Sequence, residues 1–120
     1  MEKRTFGQTG LQVTLLGYGA MELRHVDENQ ACRLLNSALD AGVNFIDTAP
    51  DYGPSEDYIG KCIAHRRDAY YLATKCGCNV PRQGGEDTPG HIWTGEQVRH
   101  NIEHSLKRLN TDYVDVWQIH

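Results

Sequence analysis

Four short apolar segments, "TLLGYGA", "VNFID", "AYYLATK" and "DYVDVWQIH", alternate along the chain with amphipathic segments of helical length. This alternation is the strongest constraint on the fold. Strands separated by helices demand parallel pairing and right-handed crossovers. The strands are apolar on both faces, as a sheet covered by helices requires. Ahead of them, "KRTF" and "LQVT" flank the glycine-rich turn "GQTG" and read as a hairpin over residues 1–13. The predicted order is hairpin, then β-α-β-α-β-α-β.

The helices carry their own start and stop signals. In "DENQACRLLNSALDAG", Asp27 and Gln30 form a capping box, Ala31, Leu34, Leu35, Ala38 and Leu39 share one face, and Gly42 suits the end. In "PSEDYIGKCIAHRR", Ser55 is the expected cap. Glu56 and Asp57 suit the positive start, and His65, Arg66 and Arg67 the negative end. The third helix, "TGEQVRHNIEHSLKRLN", opens on a Thr94/Gln97 capping box and closes at Asn110. Its apolar stripe is Val98, Ile102, Leu106 and Leu109, which sends His100 and His104 to the opposite, wet face. "CGCNVPRQGGEDTPGHIW" reads as a long loop of the kind that is functional or mobile.

Length and composition narrow the function. The 120 residues fit one domain, 1–120, and 39% hydrophobic with 23% charged residues is ordinary for a soluble globular chain. A net charge of -4 argues against nucleic acid, and no apolar run is long enough for a membrane helix. "MEKRTFGQTG" has no apolar stretch behind its basic residues, so it is not read as a signal peptide. Without a secretory signal, Cys32, Cys62, Cys76 and Cys78 are expected as reduced thiols in a cytoplasmic protein. No cysteine or histidine frame repeats at zinc-finger spacing, so no metal is expected, Cys76-x-Cys78 included.

Two architectures satisfy the pattern: an open doubly wound sheet, or part of a (β/α)8 barrel, which takes ~250 residues when whole. Both gather their sites at the C-terminal ends of the strands. There the second strand ends at Asp47, the third at Lys75 and the fourth at His120, with Tyr52 on the loop after the second. Singly, each has a bland reading: turn cap, packing residue, charged terminus, last residue. Their coincidence on one rim is what counts. A Lys75 ammonium near Tyr52 would favour the phenolate, Asp47 would hold Lys75, and His120 could address a substrate oxygen. Such a cluster suits protonation of a carbonyl oxygen while a nicotinamide supplies hydride.

The sequence resembles the N-terminal half of an aldo-keto reductase along its whole length. "KRTFGQTGLQVTLLGYGAM" resembles the family's hairpin and first barrel strand, and "DAGVNFIDTAPDYGPSEDYIGKCI" its signature. "LATKCG" and "SLKRLNTDYVDVWQIH" resemble the third strand and the passage into the fourth. The resemblance implies a (β/α)8 fold of which this chain holds about four units. It implies NADPH-dependent, or alternatively NADH-dependent, reduction of a small aldehyde or ketone. Tyr52 would be the general acid, tuned by Lys75 and Asp47, with His120 orienting the carbonyl. Gly19, Ala20, Met21 and Asp47 would lie at the cofactor.

The family's second half supplies most cofactor contacts, so the chain is expected to be truncated, and weak or inactive alone. Its open half-barrel edges are expected to self-associate. The alternatives are a non-catalytic half-barrel assembly or regulatory subunit, and a Rossmann domain. The Rossmann pattern is poor, because its third glycine would fall on Glu22 and no helix opens on Gly17-x-Gly19.

Overall fold

The computed structural model describes residues 1–79 and 90–120. The middle of the expected long loop, residues 80–89, lies outside the described residues. Strands β1 (Lys3–Thr5) and β2 (Gln12–Thr14) form the hairpin, with Lys3 opposite Thr14. Asn44 pins it to the sheet: its side chain accepts from Thr14 N at 2.8 Å and donates to Gln12 O at 2.9 Å.

The second sheet contains β3 (Tyr18–Gly19), β4 (Phe45–Asp47), β5 (Tyr71–Cys76) and β6 (Val116–Ile119), all parallel and in sequence order. No order reversal occurs among these strands, so the switch point of a Rossmann sheet is absent. Helices α1 (Glu28–Asp40), α2 (Ser55–Cys62) and α3 (Gly95–Leu109) cover one face. Leu35, Leu39, Ile59 and Leu109 pack there on Ile46 and Leu72, and burying each such side chain is worth about 1.5–3 kcal/mol. By strand alternation, Phe45, Asp47, Ala73, Lys75 and Gln118 point to the other face.

The caps of α1 and α3 form as the sequence indicates. Asp27 accepts from Gln30 N at 2.8 Å, Thr94 accepts from Gln97 N at 3.2 Å, and Asn110 closes α3 at φ 51°. Four expectations are corrected. Ser55 is not a cap: it sits inside α2, buried, and its hydroxyl reaches back to Ala20 O at 2.8 Å. In the segment "TLLGYGA", Thr14 belongs to the hairpin, only Tyr18 and Gly19 join the second sheet, and Leu15 and Leu16 stay exposed. The sheet is not covered on both faces at β6, where Trp117 and Ile119 extend past α3 and are exposed. On α3 the buried line is Asn101, Ser105 and Leu109, which turns His100 and His104 inward. Both are half-buried, with Nε2 atoms closed off from solvent. Burial, with Arg108 and His100 nearby, lowers the pKa of His104.

The cysteines are corrected as well. Helices α1 and α2 cross so that the Cα atoms of Cys32 and Cys62 are 4.9 Å apart, and the two form a disulfide. Only Cys76 and Cys78 are free thiols, both buried. The expectation of four reduced thiols rested on the lack of a secretory signal, which says nothing of where the crossing of α1 and α2 brings Cys32 and Cys62, 30 positions apart. Among the described residues, no helix is long and apolar enough to cross a membrane.

The α2–α3 crossing depends on Gly60, where an added Cβ would lie 2.0 Å from Arg108 O. Backbone cannot yield as a side chain can. We expect Gly60→Ala to cost about 3 kcal/mol or more in urea unfolding, the upper end for overpacking. Closing a loop of this length contributes roughly 3–4 kcal/mol in the chain-entropy picture. Reductant should therefore lower the unfolding midpoint, and should do nothing to a Cys32→Ser/Cys62→Ser double variant.

Candidate active site

Asp47 is the last residue of β4, and Lys75 is the penultimate residue of β5 on the same face. Lys75 Nζ donates to Asp47 Oδ2 at 2.8 Å and to Thr48 O at 2.8 Å. The second Asp47 oxygen accepts from Gln118 Nε2 at 2.8 Å. Lys75 and Asp47 are thus fixed in place, with side chains 12% and 34% exposed. Tyr52 lies on the turn after β4, and its ring centroid is 4.9 Å from Lys75 Nζ. The His120 ring meets the Tyr52 ring edge-on at 5.7 Å. All four residues singled out in the sequence therefore converge on one rim. Burial lowers the pKa of His120, aided by the charges of Lys75 and His91 and opposed by Asp51 and Asp47, so the net direction is toward the neutral imidazole. Its Nδ1 faces Cys78 Sγ at 3.3 Å and Asp51 Oδ1 at 3.4 Å.

The residues expected at a cofactor separate into two kinds. Gly19 pairs with Asp47, and the space above its Cα is open to 4 Å. Gly19 is exposed there, so the strand end is open to solvent. Met21 is 40% exposed beside it. Ala20 is fully buried and its carbonyl is taken by Ser55, so it shapes the turn rather than offering a surface. A separate depression of about 800 Å³, lined by Arg67, Leu106, Asn110 and Tyr113, lies at the opposite ends of the strands and holds none of these groups.

Several residues that the sequence reading passed over hold the site together. Gln118 could have been found from strand alternation, being two positions before His120. Glu56 and Arg108 could not, because 52 positions separate them. Arg108 Nη1 lies 3.3 Å from Glu56 Oε1 and 3.0 Å from Pro50 O, and Nη2 bonds Gly53 O and lies 3.2 Å from Asp57. Glu56 Oε2 accepts from Thr74 Oγ1 at 2.9 Å. Burial pushes the Glu56 carboxyl up, and Arg108, Ser105 and Thr74 draw it back. The pair fixes the two ends of the turn that carries Tyr52. Asn101, also buried, accepts from Gly77 N and donates to Cys78 O, holding the start of the loop after β5.

Arg108→Met should leave Glu56 buried and unpaired, at a cost of about 3–5 kcal/mol. The sign of its pH dependence follows. Without Arg108 the folded-state pKa of Glu56 rises further above its unfolded value, so the penalty is full at neutral pH and fades as the carboxyl protonates. Urea unfolding near pH 5 and pH 8 should show the larger deficit at the higher pH.

Comparison with known proteins places this geometry. Residues 15–120 match the Aldo/keto reductase family. L-galactose dehydrogenase of Arabidopsis thaliana is 37% identical over 129 residues, covering 100% of this chain and 38% of that protein. The holo form of aldo-keto reductase AKR11C1 from Bacillus halodurans superposes with a TM-score of 0.89 at 35% identity, covering 100% of this chain and 40% of that one. An aldo-keto reductase from Klebsiella pneumoniae in complex with NADPH gives 0.76 at 25% identity, covering 99% and 39%. The hairpin and the four strand units thus correspond to part of a (β/α)8 barrel, and the chain spans about 40% of the length of these relatives. With its parallel sheet, its converging rim and a family match over most of its length, the chain belongs to the aldo/keto reductase family.

Proposed function

We propose that this chain contributes the proton-transfer half of an NADPH-dependent reduction, or alternatively an NADH-dependent one, of a small aldehyde or ketone to its alcohol. The observation that carries the reading is the Asp47–Lys75 pair at 2.8 Å set against the Tyr52 ring, with His120 edge-on beside it. Tyr52 donates its phenolic proton to the carbonyl oxygen as negative charge develops there. Lys75 stabilises the phenolate left behind, and Asp47 keeps the ammonium in place. His120 positions the substrate oxygen through the nitrogen that does not face Cys78 and Asp51. Gly19, Met21 and Asp47 would hold the nicotinamide end of the cofactor, which supplies hydride when bound.

Convergence of all four groups supports an enzyme over a non-catalytic assembly or regulatory subunit. The chain spans about 40% of the length of its relatives, so the proposal is confined to the groups present in it, and turnover by the 120 residues alone should be weak. The exposed Trp117 and Ile119 at the β6 edge support association there.

The test is NADPH oxidation with a reactive aromatic aldehyde, run beside Tyr52→Phe. We expect the variant to lose roughly 10²–10⁴-fold of the rate, the usual contribution of a general acid, while binding NADPH equally in a fluorescence titration. Equal rates in the two proteins, or no NADPH binding by either, would overturn the reading.

A further inference from the structure

Beside the proposed catalytic cluster, and sharing His120 with it, lies a second constellation. Asp51, Cys78, His91 and His120 each offer one ligand atom, and these atoms all lie within 4.8 Å of one another. Three separations are tighter: Cys78 Sγ to His120 Nδ1 is 3.3 Å, His120 Nδ1 to Asp51 Oδ1 is 3.4 Å, and His91 Nε2 to Asp51 Oδ2 is 3.7 Å. A tetrahedral zinc ion with bonds of 2.0–2.3 Å spaces its ligands roughly 3.3–3.8 Å apart. The donors are one thiol, two imidazoles and one carboxylate, a set that suits a borderline-soft ion and not calcium or magnesium.

The backbone, rather than a chance arrangement of rotamers, brings the donors together. Cys78 and His91 face each other in an isolated antiparallel bridge, supported by Ile92 N donating to Gly77 O at 2.8 Å. Cys78 O is held by both Gln97 and Asn101. His120 N donates to Cys76 O at 3.2 Å. Asp51 lies on the turn whose carbonyls at Pro50 and Gly53 are bound by Arg108. As it stands the cluster is loosely satisfied, for Asp51 Oδ1 is shut off from solvent and makes no well-formed hydrogen bond among the described residues, with His120 Nδ1 facing it at 3.4 Å. A buried acceptor in that state is costly, and a cation would relieve it. The side chains of His91 and His120 are 34% and 25% exposed, which leaves access from solvent.

We propose that Asp51, Cys78, His91 and His120 bind one zinc-type divalent cation, with His120 ligating through Nδ1 and keeping Nε2 for the substrate. Binding releases the Cys78 proton to solvent, and the thiolate and the Asp51 carboxylate together neutralise the ion. The site stands without the reductase reading above.

Cobalt(II) is the probe, because tetrahedral cobalt bound to a thiolate has a distinctive visible and near-ultraviolet spectrum. We expect the chain to take up one equivalent with that signature. Cys78→Ser should lose the thiolate-to-cobalt band, and His91→Ala, altered at the surface, should bind at least tenfold more weakly with unchanged circular dichroism. Tyr52→Phe should give the wild-type spectrum. Failure to bind one equivalent, or wild-type binding by both Cys78→Ser and His91→Ala, would overturn the site. Reduction that proceeds without cobalt binding defeats this inference and leaves the function standing. Cobalt binding without reduction does the reverse.

Discussion

The pairing of Glu56 with Arg108 inside the protein is what the candidate site depends on. Glu56 is fully buried and the Arg108 side chain is 7% exposed, so both groups have given up most of their hydration. Such a pair is favourable when most of its remaining donors and acceptors are also engaged, as here all but Arg108 Nε are. Here Thr74 of β5 completes Glu56, while the carbonyls of Pro50 and Gly53 complete much of Arg108. The interaction therefore joins α2, α3, β5 and the turn after β4 in one unit. The turn is the part with the least regular structure and the most chemistry, since it carries both Asp51 and Tyr52.

Strand register then decides which groups meet. Asp47, Lys75 and Gln118 share a face because β4, β5 and β6 are parallel neighbours with Lys75 opposite Gln118. A slip of one residue in any of these strands would turn its functional side chain toward the helices. The ion pair at the strand ends is thus set by hydrogen bonds made along the whole length of the sheet. His120 lies at the boundary of two clusters. One side of its ring meets Tyr52, and its Nδ1 meets Cys78 and Asp51. An ion held at Nδ1 would leave Nε2 as the ring's N–H donor, so the two sites share one imidazole through different nitrogens.

Local signals were legible where local physics decides the outcome. The caps at Asp27 and Thr94, the left-handed stop at Asn110 and the parallel alternation of strands and helices all act over a few residues. The four groups on the rim were legible because strand ends can be located by pattern. Ser55 illustrates the limit. Its residue type favours a cap, but the buried carbonyl of Ala20 and the hydroxyl of Thr48 claim its side chain. His100 and His104 illustrate another, since apolar periodicity ranks faces by hydrophobicity and α3 buries Asn101 and Ser105 instead, the former to hold the Gly77–Cys78 backbone.

By itself the sequence determined the alternation of parallel strands and helices, the order of the elements and the strand-end positions of Asp47, Lys75 and His120, because these follow from periodicity; the choice of a barrel over a doubly wound sheet came from family resemblance. Tertiary structure alone decided the Cys32–Cys62 disulfide, the Glu56–Arg108 pair and the meeting of Asp51, Cys78, His91 and His120. These join residues that no local rule relates. Their proximity is a consequence of how helices cross and loops return, and it exists only once the sheet has set the distances between them.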